Sequence, residues 1–214
     1  MANASSKLQK SEKTKSQIIQ SYLALIERKK WDKITVKDIC SKTGVTRGTF
    51  YQYYSSIYDL MENIEDGLLD ELNRSYKTIH TPSTVVTPNT FMDKFNHHPP
   101  KSFENWFVFC EKNKSKVRIL LSNNGDPYFL VKLRSILKTQ VNILMNNDNM
   151  PSDALREPFV KALVELHLLS AKSWLDSNDQ VDLSKDEIIN ILNTMRVGAS
   201  YLSNLEEQRG FASL

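Results

Sequence analysis

Apolar residues recur three or four positions apart through most of this chain, the spacing of one helix face after another. Ile57, Leu60, Met61, Ile64, Leu68, Leu69 and Leu72 predict a long helix from Ile57 to about Lys77. An aromatic-rich helical segment, Ser102 to Leu121, follows after an interruption, and a further apolar pattern runs from Tyr128 through Leu130, Val131, Leu133, Leu137, Val141 and Leu144 to about Met145. Two more helices are expected at about Ser152 to Ser177 and Ser184 to Leu205. The last starts on Ser184 with Glu187 three residues on, the spacing of a capping box. Asn123-Asn124-Gly125-Asp126-Pro127 is a strong turn, with Pro127 suited to a helix's first turn. The stretch His80 to Lys101 breaks the pattern and holds four of the seven prolines, so it reads as a functional loop or a linker.

Ile34 to Tyr54, ITVKDICSKTGVTRGTFYQYY, carries a different kind of pattern: two short helices about a tight turn. Thr35 stands at an N-cap position, and Asp38 favours the first turn electrostatically. Val36, Ile39 and Cys40 fall at i, i+3 and i+4 and form one apolar face. Gly44 comes where a left-handed residue ends a helix, Val45 plugs the turn, and Thr46 caps a second helix that starts at Arg47. Phe50 and Tyr54, four apart, share the buried face of that helix. Arg47, Thr49, Tyr51 and Tyr53 are left on or near the exposed side. Such a face without an acidic residue suits DNA: Arg bonds guanine bidentately, Thr reaches a base edge or a thymine methyl, and Tyr hydroxyls bond phosphate.

These residues give the chain a close resemblance to the DNA-binding domain of the tetracycline-repressor (TetR) family of bacterial transcription regulators. The matching features are a first helix from about Thr14 to Lys29, Trp31, the run ending GVTRGTFYQYY, and Asp59-Leu60-Met61 opening a long fourth helix. The resemblance implies that Thr35, Lys37, Thr46, Arg47, Thr49, Tyr51, Gln52 and Tyr53 face DNA. One position departs from the family pattern: Ile57 stands where a phosphate-reaching lysine is usual, within Ser55-Ser56-Ile57-Tyr58. Ser55, Ser56, the Tyr58 hydroxyl or the fourth helix's N-terminal amides are the candidates to replace it.

Charge distribution fits that resemblance. The chain has 214 residues and a net charge of +3, yet residues 1–53 hold eleven Lys/Arg against four Asp/Glu, leaving −4 for the remainder. A basic head on a mildly acidic body attracts phosphate at one end. The sequence is expected to form an all-α protein: a flexible basic arm over 1–13, a helix-turn-helix domain with its connecting helix over 14–78, a Pro-rich linker over 79–101, and a helical sensor and dimerisation domain over 102–214. In the free protein the arm, with Lys7, Lys10, Lys13 and Lys15, is read as solvent-exposed chain with a weak phosphate role on DNA. No run approaches the roughly 20 apolar residues of a membrane span, and no signal-like segment opens the chain, so a cytoplasmic location is expected. Cys40 and Cys110 read as reduced core residues without metal-ligand spacing, and His80, His97 and His98 as solvated loop residues, so neither metal nor cofactor is expected. The absence of a Gly-rich phosphate loop or a Ser/His/Asp set argues against an enzyme.

Residues 102–145 also resemble, more weakly, a C-terminal domain in a branch of the family that includes regulators of dihydroxyacetone-kinase operons. The last two helices bear long apolar rows: Phe159, Leu163, Leu166, Leu169 and Leu175, then Ile188, Ile191, Leu192, Met195, Ala199 and Leu202. In the family such a pair meets its twofold mate, so a homodimer on a palindromic double-stranded operator is expected. Trp106, Phe107, Phe109, Cys110, Phe129, Leu133, Met145, His167 and Trp174 are candidates to line an apolar effector pocket, with ordinary core packing as the competing reading. The expected function is a repressor released by a small-molecule effector. The competing function is a DNA-binding regulator whose C-terminal domain binds a protein partner.

Overall fold

The computed structural model describes residues 2–77, 99–148, 150–175 and 184–211, and these are helical with no strand among them, as the periodicity predicts. The chain forms two compact units, Met1–Asp70 with Ser115–Leu130, and Glu71–Lys114 with Val131–Leu214. The proline-rich stretch, with His80, His97 and His98, lies mostly outside the described residues.

In the first unit, α1 spans Ala2–Ile26, a 3-10 turn Trp31–Lys33, α2 Val36–Thr43 and α3 Arg47–Tyr51, and α4, Ile57–Lys77, belongs to it as far as Asp70 and to the second unit from Glu71. Helix α1 begins well before Thr14, so the Lys-rich arm is helical here and not an irregular chain. Its Ala, Lys, Gln, Glu and Leu lose little side-chain freedom in a helix, and no Gly or Pro precedes Gly44. Ile18, Tyr22 and Ile26 recur every fourth residue and are fully buried, as are Ile39, Phe50 and Leu60 from the next three helices.

The same unit takes in α6, Lys114–Leu120, and the turn ahead of α7, Pro127–Asn147. The Trp31 amide donates to the Asn124 carbonyl at 2.9 Å, binding the 3-10 turn to this segment. Gly125 is required there, because a Cβ would lie 2.2 Å from the Leu120 carbonyl oxygen. An Arg118–Glu27 ion pair at 2.6 Å adds little, since both side chains are about half exposed.

The second unit is built from α5, Lys101–Lys112, the body of α7, α8, Arg156–Leu175, and α9, Lys185–Phe211. The segment 102–121 is thus two helices, α5 and α6, rather than one. Asn113 divides them: its side-chain amide donates to the Phe109 carbonyl at 3.2 Å and to Glu71 at 3.1 Å, the local competition that makes Asn a poor helix interior residue. Helix α5 turns Phe103, Trp106, Phe107, Phe109 and Cys110 inward. The Trp106 indole donates to the His167 carbonyl at 3.3 Å, which joins α5 to α8 through a buried hydrogen bond. Helices α8 and α9 pack together, and α9 opens on the predicted capping box: the Ser184 amide donates to Glu187 Oε2 at 2.8 Å, and the Glu187 amide to Ser184 Oγ at 3.3 Å. Among the described residues no helix is long and apolar enough to cross a membrane.

Candidate nucleic-acid interface

The helix-turn-helix is built as its residue types require. The Asp38 amide donates to Thr35 Oγ1 at 3.2 Å and the Thr35 amide returns a bond to Asp38 Oδ2 at 3.0 Å, a full capping box. Those bonds hold the Asp38 carboxyl below its ordinary range. Gly44 takes φ +80°, so α2 ends in the left-handed conformation that glycine tolerates best. Thr46 Oγ1 accepts the Thr49 amide at 3.1 Å and sits 2.9 Å from the Thr49 hydroxyl, fixing the start of α3. Phe50 and Tyr54 are buried, their rings 5.9 Å apart, and anchor the far side of the helix.

That anchoring leaves one face outward. Thr35, Lys37, Thr46, Arg47, Tyr51 and Gln52 are exposed, while Thr49 and Tyr53 are half-buried. Tyr51 is 56% exposed despite its size, its ring edge braced on Phe50 at 5.5 Å. The hydroxyls of Thr46 and Thr49 are already committed to each other and to the cap, so Arg47, Tyr51 and Gln52 are the freer groups of the set.

The Ile57 departure has a structural counterpart. The Ser55 amide and hydroxyl both donate to Asp59 Oδ2, at 2.6 and 2.9 Å, and Ser56 Oγ accepts the Asp59 amide at 3.1 Å. Both serines are therefore occupied in starting α4. Tyr58 remains, 58% exposed, with its ring edge-on to Trp31 at 5.3 Å.

Of the residues read as lining an effector pocket, Trp106, Phe107, Cys110, Leu133 and Met145 are fully buried in the second unit, and Trp174 is half-buried with its ring 5.8 Å from Phe107. Phe129 is buried in the first unit. Burial pushes the Cys110 thiol strongly up, away from the reactive thiolate. His167 is buried against Phe103, with Nδ1 2.6 Å from the Leu163 carbonyl. Burial pushes its pKa down from 6.5 to about 4. Unfolded chain therefore takes up a proton below pH 6.5 that the folded ring refuses until about pH 4. The stability this neutral ring contributes is complete above the ordinary value and falls with pH across that window, by about 3 kcal/mol in all. Urea unfolding at about pH 7 and about pH 4.5 should show this loss in the parent and a smaller one in His167→Gln. Equal losses in both would assign the acid sensitivity elsewhere.

An open cavity of about 280 Å³ lies in the second unit, formed by the last turn of α4, the first residues of α5 and the later half of α7. Tyr76, Lys77, Lys101, Ser102, Gln140 and Ile143 are among its walls. A recess of about 10 Å³ shares Tyr76, Ser102, Gln140 and Leu144 with it and reaches His167. The sequence reading found His167 and missed the rest, because these residues come from three helices far apart in the chain and most are polar.

Residues 18–64 match the family model described as bacterial regulatory proteins, tetR family. Two curated Bacillus subtilis (strain 168) proteins, both named as HTH-type transcriptional regulators, share 40% identity over 52 residues (YvdT) and 29% over 84 residues (YfiR). The matched stretches span 24% and 39% of this chain, and only 27% and 41% of those relatives' lengths. The fold is similar to a TetR transcriptional regulator from Streptococcus agalactiae 2603V, with a TM-score of 0.60 at 22% identity over 90% of this chain and 98% of that one. A tetR-family regulator from Streptomyces coelicolor gives 0.57 at 17% identity, over 94% and 86%.

Proposed function

We propose that this chain is a transcriptional regulator of the TetR type and, more specifically, a homodimeric repressor that leaves its operator when a small molecule binds the second unit; the family match of residues 18–64 supports the first part. The observation that carries the DNA reading is α3: Phe50 and Tyr54 hold one face inside while Arg47, Tyr51 and Gln52 stand in water on the other. Arg47 reads base edges, and Tyr51, Tyr53, Lys37 and Tyr58 hold phosphates. Five residues of helix read too few base pairs for useful specificity, so two copies on a palindrome, with half-sites roughly 34–36 Å apart, are required.

An unpartnered apolar surface supports the dimer. Along α9, Ile188, Leu192 and Ala199 turn inward, whereas Ile191, Met195 and Leu202 of the same row are 46–48% exposed. Leu169 on α8 is 64% exposed. The protein-partner reading uses the same surface, but the 280 Å³ cavity favours a small-molecule effector. The dihydroxyacetone-kinase branch rests on the resemblance of residues 102–145 alone, and an operator selected beside unrelated genes would remove it.

The test begins with selection of bound genomic fragments to define the operator. Arg47→Ala should then weaken binding by about 1–3 kcal/mol and relax the base preference. Tyr53→Phe should weaken binding evenly across sequences, since phosphate carries no base information. Parent-like binding by both variants, measured by fluorescence anisotropy at fixed salt, would overturn this orientation of α3.

A further inference from the structure

We propose that the open cavity of the second unit binds a small organic acid bearing a hydroxyl or amine at the end opposite its acidic group. The proposal deepens the effector reading and takes its regulatory meaning from it, while the site itself stands on geometry.

Three features define the ligand. First, the mouth is cationic. Lys77 closes α4 and Lys101 opens α5, both are exposed, and no residue described as lining the cavity is acidic. The α5 N-terminus adds the positive end of the helix dipole: its cap residue is Pro100, which offers no side-chain acceptor, and only the Phe103 amide is returned to the Pro100 carbonyl, at 2.9 Å. Glu104 in that turn does not line the cavity. Two ammonium groups beside the positive end of a helix select a carboxylate or a phosphate ester.

Second, the walls beyond the mouth are partly apolar, with Tyr76, Ile143 and Leu144 facing the space. About 280 Å³ is at the small end of ligand sites, which limits the occupant to a short chain or a single ring. Third, the floor is specific. His167 Nδ1 lies 2.6 Å from a carbonyl oxygen, so that nitrogen carries the proton and the neutral ring keeps Nε2 as its acceptor. The recess it lines, about 10 Å³, has room for one hydroxyl, amine or water. A ligand donor seated there can bond the ring's acceptor nitrogen, and an analogue without the donor forgoes that bond.

Calorimetry on the full chain without DNA tests the site with three probes: 6-hydroxyhexanoate, hexanoate and 1,6-hexanediol. The hydroxy acid should bind tightest, with hexanoate about fivefold weaker for want of the donor and the diol about tenfold weaker for want of the charge. Lys101→Gln should weaken both acids by about fivefold and leave the diol unchanged; Lys101 is exposed, so the variant folds. Equal affinity for all three probes, no binding by any, or acid binding indifferent to Lys101→Gln would overturn the proposal. Operator release is measured separately by anisotropy. Binding in the predicted order without release supports the site and removes the effector reading, whereas release by all three probes alike overturns the ligand chemistry.

Discussion

Replacing Ile191 and Met195 together by glutamate is expected to give a monomer that binds the operator at least about a hundredfold more weakly than the parent. Both residues are 46–48% exposed in the single chain, so the change costs the protomer's fold little. In a twofold contact the balance is different. Burying each such side chain is worth about 1.5–3 kcal/mol, and the symmetry counts every residue twice. Four carboxylates brought into an apolar contact would be desolvated without partners. The operator loss follows because a lone head forfeits the second half-site, and linked sites gain about 10²–10⁴ in affinity over single ones. Sedimentation and operator titration check both halves, and circular dichroism confirms that helix content is retained. A variant that remains dimeric with parental affinity places the interface elsewhere, and a parent that is itself monomeric on DNA removes the dimer.

Asp148→Ala should be the most damaging single change to the second unit. Arg196 on α9 is 4% exposed and Asp148, just past α7, is 9% exposed. The guanidinium Nη1 donates to both carboxylate oxygens, at 2.9 and 2.8 Å, and Nε to Asn193 at 3.2 Å. Desolvation draws the Arg196 pKa down, and the Asp148 charge opposes it. Removing the carboxylate leaves a buried cation unpaired, a loss of about 3–5 kcal/mol. Replacing both partners by apolar residues, Asp148→Leu with Arg196→Met, should recover most of that, since buried ion pairs are expensive to break and cheap to exchange whole. Urea midpoints of the three proteins decide the matter. A parental midpoint for Asp148→Ala would show that the pair contributes nothing, and a double variant no more stable than the single one would show that the pair cannot be exchanged whole.

Much of the first unit could be read from residue types alone. Thr35, Asp38, Gly44 and Thr46 specify caps and a left-handed turn through bonds that span three or four residues, and each occurs where expected. The inward pair Phe50 and Tyr54 is likewise a matter of helical period. The arm differs from expectation because a stretch of Lys, Ser and Gln without apolar spacing resembles a solvated tail, whereas its propensity, uninterrupted by Gly or Pro, favours continuing α1. The break at Asn113 escaped because apolar residues run on through it, and the cost of helix interruption is set by the Asn side chain's bonds to Phe109 and Glu71.

What this sequence determines by itself is therefore local: helices, their caps, and the outward face of α3. Those depend on interactions within a turn or two, where spacing in sequence is spacing in space. Tertiary structure alone decided three things. It placed Gly125 and Asn124 against Leu120 and Trp31, it separated the buried from the exposed members of the α9 row, and it gathered Lys77, Lys101 and His167 around one cavity and its recess. Each joins or sorts residues by which neighbours reach them across the fold, and periodicity records which face is apolar but not what comes to cover it.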